Sequence, residues 1–288
     1  MLRLIVNADD LGVSEKFNDG IINAHLNGIV TSTSIITCGS AFEHAISVCR
    51  GTPTLDMGIH LTLVEERPIL DPALIPSLVD SEGRMHRDAS IFAKKLLLGK
   101  IRLSEVRLEL EAQIDQVISL GIPVSHFDSH DNLHVLPGIA RITGELAKKH
   151  GIPAIRYPRE RLRGYMFRQR GAVSRGDGAI SRILQSMALA FFCRLGKKRL
   201  SALQTDYCVG FFFGGNMNKL NLLKVLRNLP LTGTCELMCH PGFDDPDPRF
   251  SHWGYHHEDE LNALTDPEIF SFLQDRNVEL ISYRQMAA

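Results

Sequence analysis

The densest cluster of chemically reactive side chains is the segment HFDSHDNLH, residues 126–134. Three histidines and two aspartates fall within nine residues, and in an extended chain positions 126, 128 and 130 share one face. Neutral imidazole nitrogens bind zinc and similar cations, and nearby carboxylates orient the ligating rings. We therefore predict that this segment, with His126, Asp128, His130 and His134, forms part of a metal-dependent active site.

Two adjacent aspartates end the first apolar run of the chain, in the segment NADDLG at residues 7–12. Neighbouring carboxylates repel each other and are costly to bury unless a cation lies close by. One aspartate would then bind the cation, and the other would be free to act as a general base. The alternative is an aspartate that caps the following helix, but Ser14 already suits that position. We predict that Asp9 and Asp10 take part in the chemistry.

Two further histidines lie near the ends of apolar strands. His60 lies in GIHLTL, residues 58–63, and His240 ends the run GTCELMCH just before a Pro-Gly turn. A single histidine in an apolar strand is more often a core residue with a satisfied hydrogen bond, but beside the aspartate pair a ligand role becomes the better interpretation of His60. A histidine held at the rim of a barrel is a candidate general acid, which is the role we predict for His240.

Apolar runs and amphipathic segments alternate along the chain. The apolar periodicity predicts helices at about 14–28, 41–50, 89–98, 104–119, 137–150, 218–228 and 258–274. Strands are predicted at 2–8, 33–38, 55–63, 123–128, 153–157, 205–211, 233–240 and 278–283. This alternation implies a parallel sheet, either closed into a barrel or doubly wound.

The reactive residues follow the carboxyl ends of four of these strands. In a (β/α) barrel those ends form one rim, and the active site lies there. The shared placement therefore favours a barrel. We predict a single domain over residues 1–288, an α/β fold of the TIM-like (β/α) barrel type, irregular, with seven or eight strands.

Composition and charge restrict the classes of function. The 288 residues are 44% hydrophobic and 23% charged, which is ordinary for a globular protein with a large core. A net charge of −1 gives no overall field that would attract nucleic acid. No signal peptide and no run of roughly 18 apolar residues is visible, and the six cysteines suit a reducing compartment. We expect a cytoplasmic protein.

The charge is distributed unevenly, with a basic segment late in the chain. Twelve lysine or arginine residues and two acidic residues lie between Arg156 and Arg199. We predict a basic helical insertion at 159–204, because its cationic residues accompany an apolar helical face. Such stretches bind anionic membrane surfaces, so peripheral contact with the inner membrane face is one interpretation. The alternative is an ordinary barrel helix with a solvated basic face; no nucleic-acid recognition motif accompanies the charge.

In these motifs the sequence resembles the YdjC-like carbohydrate deacetylases, which include chitooligosaccharide deacetylases. The shared motifs are NADDLG, VTSTS at 30–34, GIHLTL, SHFDSHDNLH and CHPG, in this order along most of the chain. The stretch GIHLTLVEERPIL with the later IPSLVD resembles the hopanoid biosynthesis-associated HpnK branch in particular. That branch implies deacetylation of an N-acetylglucosaminyl hopanoid lipid.

The resemblance implies one divalent metal ion, magnesium or zinc, held by Asp10, His60 and His130. It also implies that Asp9 is the base that activates water and that His240 is the acid that protonates the leaving amine. We place four further residues around them, to contact the substrate or to orient the ligands: His126, Asp128, His134 and Arg156.

The sequence departs from the family pattern at two places. Asp131 and Asn132 stand where the family often has consecutive histidines, and Leu11 replaces a common phenylalanine. The implied ligands survive these changes, whereas the sugar contacts near 131–132 differ from those of the family.

Several functions fit the residues. The first is N-deacetylation of an acetylated amino sugar, lipid-linked or, as the alternative, a soluble chitooligosaccharide. Two histidines and one carboxylate are also the ligands of non-haem iron oxygenases, and phosphate-ester hydrolysis is a further rival. A lipid- or sugar-binding protein without activity is the alternative outside the enzymes. A homodimer is a reasonable expectation.

Overall fold

The computed structural model describes residues 1–160, 178–197, 199–200, 202–250 and 253–288, with the backbone alone at 178–181. Parallel strands form one sheet, and each pairs with its neighbours in parallel register. The strands are β1 Leu2–Leu11, β2 Ser32–Ile35, β3 Asp56–Leu61, β4 His126–Ser129, β5 Ala154–Ile155, β6 Tyr207–Val209, β7 Gly233–Cys239 and β8 Val278–Leu280.

The strand order is that of a barrel cut open at one place. Seven strands follow the path β5-β4-β3-β2-β1-β7-β6, and β8 pairs with β1. A doubly wound sheet would reverse direction at its first strand, whereas here the order stays circular. Among the described strands β5 and β6 do not pair with each other, although Leu203 bridges to Ala154 at that edge. The predicted (β/α) barrel-like fold is confirmed in this open form.

The last strand fills a gap beneath the active-site end of β1. One edge of β1 pairs with β7 from Leu2 to Ala8. The other edge pairs with β8 over Leu2–Leu4 and with β2 only from Asn7 onward. β8 therefore lies below β2 on the same edge of β1. The barrel has seven strands along its main path, and the eighth strand pairs with β1 only near the base.

Helices cover the outside of the sheet. They are α1 Glu15–Leu26, α2 Phe42–Gly51, α3 Ala89–Leu97, α4 Leu103–Ser119, α5 Ile139–His150, α6 Gly178–Gly196, α7 Lys219–Arg227, α8 His257–Leu264, α9 Pro267–Asp275 and α10 Tyr283–Ala287. Short 3₁₀ turns lie at Pro72–Leu74 and His130–Val135. Ser14 caps α1 as predicted, because its hydroxyl accepts a hydrogen bond from the Phe17 amide.

The predicted helix at 258–274 is wrong, because the structure divides it into two. Proline has no amide hydrogen and clashes with the preceding turn, so Pro267 begins a new helix rather than continuing the old one. The Asp266 carboxylate caps this second helix by accepting from the Glu268 amide. The predicted strand at 278–283 is similarly short, because Ser282 and Gln285 form a capping box that starts α10.

The predicted insertion at 159–204 falls partly outside the described residues, which omit 161–177, 198 and 201. Its described part contains α6, which packs against the 3₁₀ turn at His130–Val135. A basic insertion as such therefore stays a prediction. None of the described helices is long and apolar enough to cross a membrane.

Successive side chains of β1 alternate between the main hydrophobic core and the barrel interior. Leu4, Val6 and Ala8 belong to the main hydrophobic core between sheet and helices. The intervening Ile5 packs in a small separate cluster with Ala154, Ile281 and Tyr283. Further along the same face come Asn7 and Asp9, and both are buried. The barrel interior is thus apolar at its base and becomes polar towards the carboxyl ends of the strands, where the predicted site residues lie.

Candidate active site

Asp10, His60 and His130 converge on one point at the carboxyl ends of β1, β3 and β4. Their ligand atoms all lie within 4.8 Å of one another. Asp10 Oδ1 is 3.5 Å from His60 Nε2 and 3.1 Å from His130 Nδ1. Two ligand atoms that bind one tetrahedral zinc ion at about 2.0–2.2 Å are about 3.4 Å apart. The donor atoms therefore fit a single cation, and the mixed nitrogen and oxygen set suits zinc.

The backbone is strained at one of these positions and directly after another. Asp10 has φ of 68°, in the left-handed region that side chains other than glycine avoid, at a register shift between Ala8 and Leu11. Asp131 and Asn132, directly after His130, also have positive φ values of 53° and 55°. Strain of this kind costs of order 1–3 kcal/mol per residue and is common at functional sites. Here it turns the Asp10 carboxylate towards the two histidines.

Asp128 fixes the ring of His60. His60 Nδ1 is 2.8 Å from Asp128 Oδ1, which leaves Nε2 facing Asp10. The Ser34 hydroxyl donates to the other oxygen of Asp128 at 2.8 Å. Burial disfavours protonation of His60, but the charge and hydrogen bond of Asp128 outweigh it and raise its pKa. A carboxylate behind a ligating histidine is a common arrangement in metal sites, because it sets the tautomer and the ring orientation.

Asp10 and His130 influence each other in the same way. Burial opposes ionisation of Asp10, but the hydrogen bond and charge of His130 outweigh it and hold the pKa of that carboxyl well below its usual value. Burial likewise opposes protonation of His130, and its contacts with Asp10 and Glu65 raise its pKa well above the usual value. A cation would replace the proton that these groups share.

A buried guanidinium holds Asp9 at the entrance to the barrel interior. Arg156 is fully buried and donates Nη1 to Asp9 Oδ2 and Nη2 to Asp9 Oδ1, both at 2.6 Å. It also pairs with Asp128 at 2.9 Å and with Glu236 at 2.8 Å. Asn7 Nδ2 donates to Asp9 Oδ1 at 2.8 Å. The Asp9 carboxylate is therefore fixed in orientation, and a charge-assisted, bidentate pair of this kind is among the stronger hydrogen-bonded contacts.

Glu236 completes this buried ionic cluster. Its second oxygen accepts a hydrogen bond from the Tyr283 hydroxyl at 2.5 Å. Burial raises the pKa of Glu236, although Arg156 opposes the effect. One guanidinium thus faces three carboxylates, and removing it would leave buried negative charges without compensation.

His240 stands on the far side of the same cleft. Its backbone amide donates to Glu260 Oε2 at 2.7 Å, and its ring lies edge-on to Tyr255 at 5.0 Å between centroids. Its Nδ1 is buried and has no hydrogen-bond partner among the described residues. Burial raises the pKa of Glu260, and His240 partly opposes that rise. The Nδ1 atom of His240 lies 3.9 Å from Glu260 Oε2, and the imidazole borders the cleft.

All five predicted catalytic and ligand residues border one cleft of about 330 Å³. Its polar end contains Asp9, Asp10, His60, His130 and His240. The remainder is formed mainly by α3, the 3₁₀ turn, α6 and the loop after β6, and it has polar side chains, such as Ser90, Arg182 and Gln185, as well as apolar ones. Its apolar side chains are Ala89, Ala93, Leu133, Val135, Leu136, Ala188, Leu189, Phe192 and Phe211.

The four residues predicted to surround the ligands lie beneath the cleft and do not line it. Asp128 and Arg156 belong to the ionic cluster described above. Burial lowers the pKa of both His126 and His134 to about 4. His134 bridges the Ser129 hydroxyl at 2.7 Å and the Arg156 carbonyl at 3.0 Å. These contacts favour support of the site over contact with a substrate.

Several residues of the site have no counterpart among the sequence predictions. Glu65 and Trp253 lie against His130, and Tyr255 lies against His240. Glu236 shares a strand face with His240, which indicates an inward side chain but not its partner. The others lie in loops far apart in the chain, and no periodicity marks them.

The comparisons with known proteins identify the family of the chain. The YdjC-like protein family matches residues 3–275. A carbohydrate deacetylase of Brevibacillus brevis is 29% identical and covers 99% of this chain and 100% of its own. A chitooligosaccharide deacetylase of Proteus mirabilis is 30% identical with 98% of each chain covered, and a carbohydrate deacetylase of Mus musculus is 31% identical with 97% and 93% covered.

A solved structure shows the same architecture over the whole chain. The protein from Enterococcus faecalis V583, described as a cellobiose-phosphate cleavage protein, has a TM-score of 0.76 and 29% identity, and 99% of each chain is covered. The family match spans the strands that deliver every predicted ligand, and the family predicted from the motifs is confirmed. The chain belongs to the YdjC-like protein family.

Proposed function

We propose that the chain is a metal-dependent carbohydrate N-deacetylase, which releases acetate from an acetylated amino sugar. The observation that carries this proposal is the arrangement within one cleft. A cation-sized group of two histidines and Asp10 lies beside a separate carboxylate, Asp9, and a separate imidazole, His240. Hydrolysis of an amide needs these three functions together, and relatives named carbohydrate deacetylases support the same reaction.

The group of Asp10, His60 and His130 would hold one divalent cation, zinc in preference to magnesium. Magnesium favours an octahedral set of oxygen ligands, whereas two imidazole nitrogens and one carboxylate suit zinc. When bound, such a cation makes the acetamide carbonyl more electrophilic and water more acidic.

Asp9 and His240 carry the proton transfers. Asp9 takes a proton from the water whose oxygen attacks the acetyl carbon. The carbon–nitrogen bond then breaks, and His240 gives a proton to the departing amine, which is otherwise a poor leaving group. Acetate and a free amino sugar result. Arg156 keeps the Asp9 carboxylate in one orientation throughout, and Tyr255 packs against the ring of His240.

We propose an N-acetylglucosaminyl hopanoid, or an amino sugar with a similar apolar substituent, as the substrate. The apolar part of the cleft supports this choice. Leu133 lines it from the 3₁₀ turn, Leu136 from the position directly after that turn, and Leu189 and Phe192 from α6. Polar side chains of α6, Arg182 and Gln185, line the same cleft and offer hydrogen bonds to the hydroxyl groups of the sugar. An apolar group gains by burial there.

Deacetylation of a soluble chitooligosaccharide is the second candidate. The Proteus mirabilis relative named for that activity, 30% identical over 286 residues, supports it. A binding protein without activity is not favoured, because Asp9 and His240 then stand in the cleft without a function. The expected homodimer and the cytoplasmic location stay predictions.

We further propose that the protein contacts a membrane surface through α6. The side chains of Leu184, Met187, Phe191 and Leu195 are between 51% and 61% exposed. Their spacing of three or four residues puts them on one helical face. The other face of α6 lines the cleft. An apolar face beside the cleft, on a helix with basic residues near its end, suits contact with an anionic lipid surface.

Acetate release from two substrates tests the proposed function. The purified protein, loaded with zinc, is incubated with an N-acetylglucosaminyl hopanoid in detergent and, separately, with chitobiose. We expect acetate from the hopanoid and much less from chitobiose. Release from chitobiose alone would favour the soluble-sugar candidate. Release from neither substrate, by a protein that binds zinc, would contradict deacetylation of both substrate classes.

A further inference from the structure

Glu65 lies directly against one of the proposed ligands, although no motif marks it. Its Oε2 is 3.6 Å from His130 Nε2 and accepts a hydrogen bond from Trp253 Nε1 at 2.9 Å. The residue has φ of 67°, and its backbone amide donates to the His86 carbonyl at 2.9 Å. A strained backbone anchored to a neighbouring loop thus holds this carboxylate behind the ring.

The two ring nitrogens of His130 have different surroundings. Nδ1 lies 3.1 Å from Asp10 Oδ1, on the side where the cation would bind. Nε2 points the other way, towards Glu65. A neutral imidazole that ligates through Nδ1 must carry its proton on Nε2, and a carboxylate near Nε2 stabilises that tautomer.

His60 shows the same arrangement with its nitrogens exchanged. Its Nε2 faces Asp10 at 3.5 Å, and its Nδ1 is 2.8 Å from Asp128 Oδ1. Each of the two histidines therefore has Asp10 on one side and a separate carboxylate on the other. Glu65 occupies, relative to His130, the place that Asp128 occupies relative to His60.

We propose that Glu65 is a positioning residue for the cation site, and that Trp253 holds it in place. Glu65 sets the tautomer and the orientation of His130. Glu65 is not part of the group that Asp10 and His60 form with His130, although it forms a second group of possible ligands with His130 and Asp131. In the proposal Glu65 acts on the ring, because it faces Nε2 of His130 while Asp10 faces Nδ1. The inference rests on the proposed function only for the existence of the cation site.

Trp253 donates the hydrogen bond to Glu65 and also provides a fluorescence signal for cation binding. It is the single tryptophan of the chain, and its ring centroid is 5.7 Å from that of His130. A paramagnetic cation such as Co²⁺, bound to His130 beside this ring, quenches indole fluorescence. Titration of the metal-free protein with Co²⁺, followed by tryptophan fluorescence and by calorimetry, therefore reports binding without any reaction.

The test compares three variants with the wild type. Loss of a group that orients a ligating histidine typically weakens metal binding about 10- to 100-fold, and we expect such a loss for Glu65→Ala. Glu65→Gln keeps an acceptor for Trp253 but removes the charge, so we expect an intermediate affinity. Glu82→Gln is the matched control, because it removes the same charge from an exposed position later in the same loop, where Glu82 pairs with Arg84.

A purely structural role predicts a different pattern. In that case the variants lower the melting temperature of the metal-free protein but bind Co²⁺ with unchanged affinity, and the inference is wrong. It is also wrong if Glu82→Gln weakens binding as much as Glu65→Gln. A wild type that does not bind Co²⁺ overturns both the inference and the proposed function. Weaker binding by both Glu65 variants, in a protein that releases no acetate, upholds the inference and contradicts only the proposed reaction.

Discussion

At the residue scale, the side chains of the site form a network of hydrogen bonds and ion pairs, within which they have different proposed roles. Asp9 and Asp10 are adjacent, yet their side chains meet different partners. Asp10 faces two histidines, whereas Asp9 faces the guanidinium of Arg156. A regular strand would direct the two neighbouring side chains to opposite faces of the sheet, and the strained backbone at Asp10 lets both border one cleft. In the proposed mechanism the two carboxylates therefore serve as a ligand and as a base.

Replacing Asp9 tests its role as the base. We expect Asp9→Asn to lose at least about 100-fold in kcat, because an amide cannot take a proton from water. The Kd for zinc should stay close to that of the wild type, since the three ligands are unchanged. Asp244→Asn, in the loop after His240, is the control and should keep full turnover. Wild-type turnover in Asp9→Asn would show that another group is the base.

The lowered pKa values of two buried histidines predict how the free energy of unfolding depends on pH. Burial lowers the pKa of His126 and His134 to about 4, below the unfolded value near 6.5. Between these values the unfolded chain binds protons that the native protein does not, so the free energy of unfolding falls as the pH drops from 6.5 towards 4. His60 and His130 have raised pKa values, so the stability that they contribute is lost as the pH rises and does not cause a fall towards pH 4.

Urea unfolding of the metal-free protein at several pH values between 6.5 and 4.5 measures this slope. Each of the two histidines contributes up to about 1.4 kcal/mol per pH unit. We expect His126→Gln to have a shallower slope than the wild type, even where the substitution changes the stability itself. Equal slopes in the two proteins would mean that His126 does not stay neutral in the native state.

At the element scale, strand ends and helix caps could be predicted because their signals are local. Ser14 caps α1, and the apolar positions of α4, among them Val106, Leu110 and Ile114, face the core. The break at Pro267 has an equally local signal, but apolar periodicity alone predicts one continuous helix there. The pairing of Arg156 with Asp9 could not be predicted, because it joins residues 147 positions apart that only the folded sheet brings together.

The exposed face of α6 gives a prediction for membrane contact. We expect the wild type to cosediment with anionic vesicles and the double variant Met187→Ser, Phe191→Ser to do so much less, because apolar burial in the interface is lost. Leu231→Ser is the control, since Leu231 is 80% exposed but precedes β7, at the opposite end of the barrel. Equal sedimentation of the α6 variant and the wild type would contradict the role of α6.

At the scale of the whole molecule, the open barrel explains why the site has one polar end and one apolar end. The strands β1, β3, β4 and β7 deliver the proposed ligands, base and acid to one rim. The apolar wall comes from α3, the 3₁₀ turn and α6, which follow β3, β4 and β5 in the chain. Motifs at strand ends predicted which residues meet at this rim, whereas the shape of the cleft depends on how helices pack.

The central claim is that Asp10, His60 and His130 hold a cation required for release of acetate. Acetate is measured from an N-acetylglucosaminyl substrate with the purified protein, after treatment with a chelator, and after zinc is restored. We predict activity that disappears on chelation, returns with zinc, and stays absent in His60→Ala at the same zinc concentration. Acetate release that survives complete removal of metal, or that His60→Ala retains, would contradict the account.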